Sequence, residues 1–177
     1  HKPVTVWLTG MVGSGKTEIA FALEKKLFDL GAVCLVLNGH NLRHGLSRDL
    51  DFSSMGTAEH LRRVAEMARL ANAAGIIVVC GFVSPTRFIR KQVAEIVGAD
   101  NYVEIHVDAP VEWCEQHDST GLFRKARAGG APNLAGVNSP YEKPDSPALV
   151  IGREKLAVSE AADAILDLLG RKKIFSA

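Results

Sequence analysis

The residues Gly10-Met11-Val12-Gly13-Ser14-Gly15-Lys16-Thr17 concentrate the chemistry of this 177-residue chain. Glycine, four free positions, glycine, lysine and threonine is the pattern of a loop that holds phosphate. A triphosphate crowds negative charge into a small volume, and backbone N–H groups surround it only where side chains leave room. Gly10, Gly13 and Gly15 clear that room, and Ser14 sits between them. A helix starting here points its partly positive N-terminus at the phosphates, Lys16 adds a full charge, and the Thr17 hydroxyl is a ligand for Mg²⁺. The expected ligands are ATP and Mg²⁺.

Such a loop works only between a strand and a helix. Val4 to Thr9 is a short apolar, β-branched run, and Glu18 to Leu30 repeats apolar residues at Ile19, Leu23, Leu27 and Leu30, so a strand leads in and a helix leads out. Val33 to Leu37 reads as a buried parallel strand, followed by a polar loop from Asn38 to Gly45, where an α/β sheet presents ligand-binding groups. Thr57 to Ala74 has helical spacing, with Arg62, Arg63 and Arg69 on its surface. Ile76 to Cys80 reads as a third buried strand running into the loop Gly81 to Arg87. A helix over Thr86 to Val97 and a strand over Tyr102 to Val107 follow. Asp108-Ala109-Pro110 looks like a helix start, with Asp108 read as a local cap ahead of a magnesium-binding acid.

From Asp118 to Pro147 glycines and prolines interrupt regular structure, and Arg124, Lys125 and Arg127 form a basic cluster with no evident partners until phosphates arrive. This is the composition of a mobile lid. Ala148 to Ile151 is a last short strand and Ser159 to Leu169 a closing amphipathic helix. The expected architecture is α/β, three layers of the P-loop NTPase type. A mostly parallel sheet with the Val4–Thr9 strand at its centre carries helices on both faces, in a single domain over 1–177 with a lid at about 118–147.

Lys plus Arg number 21 against 20 for Asp plus Glu, which argues against a general nucleic-acid binder or a membrane-surface protein. Cys34, Cys80 and Cys114 are far apart in apolar surroundings, the pattern of reduced core thiols. No apolar run approaches the roughly 20 residues a membrane helix needs, so a cytoplasmic protein is expected. The start at His1-Lys2-Pro3, just before the first strand, suggests a domain cut from something longer.

Together the motifs resemble adenylylsulfate kinase over nearly the whole chain. The resemblance rests on Val6-Trp7-Leu8-Thr9-Gly10 with the phosphate loop, Asn41-Leu42-Arg43-His44-Gly45-Leu46, Arg48-Asp49-Leu50 and Phe52-Ser53. Arg62 to Glu66, Phe82-Val83-Ser84-Pro85, Lys125 to Gly129 and Ser139-Pro140-Tyr141-Glu142 extend it. It implies transfer of the ATP γ-phosphate to the 3′-hydroxyl of adenosine 5′-phosphosulfate. It also implies roles for Lys16 and Thr17 with ATP and Mg²⁺, for Arg43, Phe52 and Phe82 to Ser84 with the acceptor nucleotide, and for Lys125 and Arg127 in the lid. A homodimer, or fusion to an ATP sulfurylase, is the implied setting.

The departures from the family pattern are equally specific. Where the family reads Asp-Gly-Asp-Asn, this chain reads Asn38-Gly39-His40-Asn41. An amide binds a hard cation poorly and takes no proton at neutral pH, whereas His40 can accept one. Thr57 and His60 stand where the family carries arginine and asparagine, and Leu134 where an aromatic would stack on a base. Weakened catalysis is therefore expected, with Lys16, Asn38 and His40 as the catalytic positions and His60 and Leu134 on the acceptor side. Two other readings stay open: a nucleotide-binding domain kept for assembly or regulation, and a kinase for another small hydroxyl substrate.

Overall fold

The computed structural model describes residues 1–175. Strands β1 (Thr5–Thr9), β2 (Cys34–Asn38), β3 (Ile77–Phe82), β4 (Tyr102–Asp108) and β5 (Leu149–Gly152) form one sheet in the order β2-β3-β1-β4-β5. Every pairing is parallel. Parallel neighbours need crossovers, and the helices between strands supply them: α1 (Lys16–Asp29), α2 (Gly39–Arg43), α3 (Ser54–Ala73), α4 (Arg87–Val97), α5 (Val111–Gln116) and α6 (Leu122–Arg127); α7 (Val158–Arg171) follows the last strand and packs on α1.

The phosphate-loop strand is central, and β1 shows why. All five of its residues are buried. Val6 and Leu8 point into one cluster with Ile19, Leu23 and Leu27 of α1 and Ile165 and Leu169 of α7. Trp7 points the other way, into a cluster with Leu61, Val64 and Ala68 of α3 and Val93 and Val97 of α4. A strand covered on both faces has no polar side to show, hence its continuous apolar run.

The helix starts are written locally. The side chains of Ser53 and Thr86 accept from the N–H of Gly56 and Ile89, capping α3 and α4, a contribution of about 1 kcal/mol each. Cys34 is half-buried and Cys80 and Cys114 are buried, all as free thiols.

Three expectations are revised. The run Val33–Leu37 forms an edge strand, not a fully buried one: β2 pairs only with β3, and Val33 and Leu35 are exposed. The polar stretch after it includes a short helix, because Asn38 caps α2. Asp108 is not the cap of α5; Pro110 occupies that position without a side-chain bond, and Asp108 is drawn to Lys143 at 3.1 Å.

The stretch 118–147 has two parts. Phe123 and Ala126 of α6, with Leu134, join Ala109 and Cys114 in a third small core that also takes in Met11 and Val12 of the phosphate loop. Beyond it, residues 139–147 return along the sheet as an extended strap. There the Arg87 N–H donates to the Glu142 carboxylate and Arg87 Nε to the Lys143 carbonyl.

Candidate active site

The loop between β1 and α1 is shaped as phosphate binding requires. Gly13 and Gly15 have φ of 79° and 88°, the left-handed region that other residues adopt at a cost. Space is equally restrictive: a Cβ on Gly13 would stand 2.3 Å from the Cys114 carbonyl oxygen, and one on Gly10 2.5 Å from that of Val107. Lys16 is buried and donates to the Met11 carbonyl at 2.7 Å and to Ser14 Oγ at 3.3 Å. Burial lowers its ammonium to a pKa of about 8, so the charge stands in a place that anionic oxygens would relieve. Ser14 is buried and Thr17 exposed in the first turn of α1.

Beside this loop lies a group that sequence reasoning missed. Arg153, just past β5, donates from Nε to the Ser14 carbonyl at 3.2 Å and places its guanidinium 5.3 Å from the Trp113 ring centroid. Trp113 stacks on His117 at 3.7 Å between centroids. A polar residue immediately after the C-terminal end of a parallel strand was the available signal.

The other groups follow the ends of β2 and β3, on the same edge. Asn38 is buried, and its Oδ1 accepts from the Asn41 N–H at 3.1 Å, an engagement that holds the start of α2. His40 is exposed, edge-to-face with His44 at 5.0 Å. Arg43 donates to the Asp51 carbonyl at 3.1 Å and lies 4.0 Å over the ring of exposed Phe52. His60 is 3% exposed, with Nδ1 2.8 Å from Ser47 Oγ and its Nε2 buried without a partner. Burial, helped by Arg43 and Arg63, lowers its pKa to about 4, which leaves it neutral. Its ring meets Phe82 edge-on at 5.4 Å, and Phe82 stacks on Trp7 at 5.4 Å.

Thr9, the last residue of β1, gathers the β3–α4 loop. Its hydroxyl donates to the Val83 carbonyl at 2.8 Å, and the Tyr141 hydroxyl is 2.9 Å away. Ser84 is buried at φ 40°, with Oγ donating to Thr9 Oγ1 at 2.8 Å and accepting from Trp7 Nε1 at 3.1 Å. The acceptor-side loop is thus tied directly to the strand that feeds the phosphate loop.

In α6 the cations are not all free. Arg127 makes a two-pronged pair with Glu115 at 2.8 and 2.7 Å, while Lys125 is exposed. Leu134 is 8% exposed, its side chain enclosed in the third core. A cavity of about 220 Å³ opens beside the phosphate loop, lined by Met11, His106, Asp108, Gly136, Tyr141 and Lys143 among others.

Among the described residues no group of three or more His, Cys, Asp and Glu could hold a metal ion. The oxygens of Thr17 and Asp108 suit a hard cation that draws most of its ligands from phosphate and water, as Mg²⁺ does. No helix among the described residues is long and apolar enough to cross a membrane.

Comparison with known proteins bears on this arrangement. A family model described as "Adenylylsulphate kinase" matches residues 2–152. An adenylyl-sulfate kinase of Geotalea uraniireducens is 42% identical over 172 residues, covering 97% of this chain and 83% of the relative. The structure of the Mycobacterium tuberculosis APS kinase in complex with AMPPNP and APS aligns with a TM-score of 0.91 at 38% identity, over 96% of this chain and 98% of that one. A hexameric APS kinase from Thiobacillus denitrificans aligns with a TM-score of 0.76 at 28% identity, over 99% of this chain but 30% of that one.

Proposed function

Because the chain belongs to the adenylylsulfate kinase family, we propose how its own residues carry out that family's reaction and where they fall short. The function is ATP-dependent phosphorylation of the 3′-hydroxyl of adenosine 5′-phosphosulfate, giving 3′-phosphoadenosine 5′-phosphosulfate and ADP. The supporting observation is that the phosphate loop, the β2-end group of Arg43 and Phe52, and the β3-end group of Phe82, Val83 and Ser84 all leave one edge of one parallel sheet.

ATP binds with its β-phosphate among the N–H groups of Gly13 to Thr17 and Lys16 against the phosphates. Its base lies toward the shelf of Trp113 and Arg153, and Arg127 exchanges Glu115 for phosphate when the lid closes. Thr17 and Asp108 would hold Mg²⁺, which would supply neutralisation of phosphate charge. Arg43, Phe52, His60, Phe82 and Ser84 hold the acceptor, with Lys125 closing from the lid and Leu134 behind it as packing. The hydroxyl oxygen attacks the γ-phosphorus and the bond to ADP breaks, so catalysis is chiefly positioning and charge neutralisation. His40, as an exposed imidazole next to the α2 cap residue Asn38, takes the hydroxyl proton.

Loss of the acidic group costs on the order of 10²–10⁴ in rate. A coupled assay with ATP, Mg²⁺ and adenosine phosphosulfate is expected to show slow turnover, well below the roughly 1–100 s⁻¹ of ordinary kinases. Full-speed turnover would overturn the weakened-enzyme reading. Tight binding of both nucleotides with no product would favour a nucleotide-binding module. Assembly as a homodimer, or within a sulfurylase-kinase chain, belongs to the same proposal.

A further inference from the structure

Arg90 on α4 is 3% exposed, unusual for a group that never loses its charge. Its three nitrogens reach three different segments. One terminal nitrogen donates to the Ser84 carbonyl at 2.6 Å, the other to the Glu142 carbonyl at 2.6 Å, and Nε lies 3.3 Å from Glu104 Oε1. The first segment is the β3–α4 loop, the second the return strap, the third β4.

Both carbonyl bonds fall on irregular backbone that side chains hold: Thr9 also donates to the Val83 and Ser84 carbonyls, and Arg87 also engages Glu142 and Lys143. Ser84 is a non-glycine residue at φ 40°, a conformation that persists only when its surroundings impose it. The strap has no ladder partner at Glu142 apart from the Pro85 carbonyl, which accepts its N–H at 2.8 Å. Tyr141, next along the strap, lies 2.9 Å from Thr9 Oγ1 and stacks on His106. Among these ties the Arg90 guanidinium is the buried one that joins the loop after Phe82, the strap and β4 in a single plane, with Thr9 and the phosphate loop as the fixed reference.

We propose that Arg90 is a positioning residue for the acceptor: it clamps the β3–α4 loop to the strap and so places the acceptor hydroxyl relative to the phosphate loop. The clamp rests on the proposed function for its acceptor, but its mechanical part does not. Lysine at this position keeps the charge beside Glu104 and loses the fork, since an ammonium cannot reach both carbonyls in one plane.

The test is Arg90→Lys in the full chain, read by steady-state kinetics, calorimetry with ADP, and hydrogen exchange. The expected result is a KM for adenosine phosphosulfate raised about tenfold or more with kcat lowered, unchanged ADP affinity, and faster exchange in 82–86 and 139–145 only. Glu104→Gln weakens the anchor of the same guanidinium with little change in shape. It is expected to give a smaller effect of the same kind, and it decides the matter should R90K not fold. Exchange unchanged in both segments, or ADP and acceptor affinities falling together, overturns the clamp. Wild-type protein that neither binds nor phosphorylates adenosine phosphosulfate overturns the proposed function instead, and the exchange measurement still decides the clamp.

Discussion

Single residues here carry separable chemical expectations. Lys16 titrates at about 8 because it is buried, and bound phosphates favour its charged form. Binding of ADP above that pH must take up a proton, so affinity is expected to fall as pH rises from 8 to 10, by up to about tenfold per pH unit. Calorimetry in buffers of different ionisation enthalpy checks this, and Lys16→Ala should abolish the dependence along with most of the affinity. At the second strand end, Asn38 engages the Asn41 N–H, a role that aspartate performs equally well. Asn38→Asp with His40→Asp should therefore leave the melting temperature nearly unchanged and raise turnover; equal turnover before and after would move the defect to the acceptor's orientation. Much of this was legible from residue types and spacing, since the loop motif is contiguous. Trp113 and Arg90 were not, and Arg153 gave only its place after a strand end, because their roles arise from contacts with residues distant in the chain, as between Arg153 and Ser14.

Among the elements, the segment 118–147 divides at its middle. The strap is held by Arg87 and Arg90, whereas α6 is held by its small apolar core and the Arg127–Glu115 pair, and an exposed pair contributes about 0–1 kcal/mol. Nucleotide should slow hydrogen exchange in 118–138 and change it little in 139–147; equal protection with and without nucleotide would show that α6 does not close. Gly13→Ala tests the junction between loop and lid. With φ at 79° and a Cβ 2.3 Å from the Cys114 carbonyl, it should cost on the order of 1–3 kcal/mol in stability and weaken ADP binding, as read by denaturant unfolding and calorimetry. The element types were readable from periodicity. The edge position of β2 was not, because strand order belongs to the whole sheet and an edge strand in a parallel sheet can be as apolar as a central one.

For the whole molecule, buried histidines weaken the fold in acid, and burial lowers both His60 and His106 below the ordinary imidazole range. The His60 pKa is lowered to about 4 in the fold, so below the ordinary value near 6.5 the unfolded chain gains a proton that the native chain refuses. The His60 contribution is fully present above that value, falls as pH drops toward 4 and levels off below, a loss of up to about 3 kcal/mol. Urea midpoints at pH 7 and 4.5 should differ accordingly, and His60→Asn should reduce the slope in that window, leaving the part due to His106. The small core joining Met11 and Val12 of the phosphate loop to Phe123 and Leu134 has a thermodynamic consequence for the molecule as a unit. If nucleotide tightens α6 by some factor, then α6, when tight, must raise nucleotide affinity by that same factor, because the two equilibria close a cycle. Phe123→Ala, remote from any phosphate contact, would then weaken nucleotide binding by the amount that nucleotide normally protects α6 from exchange.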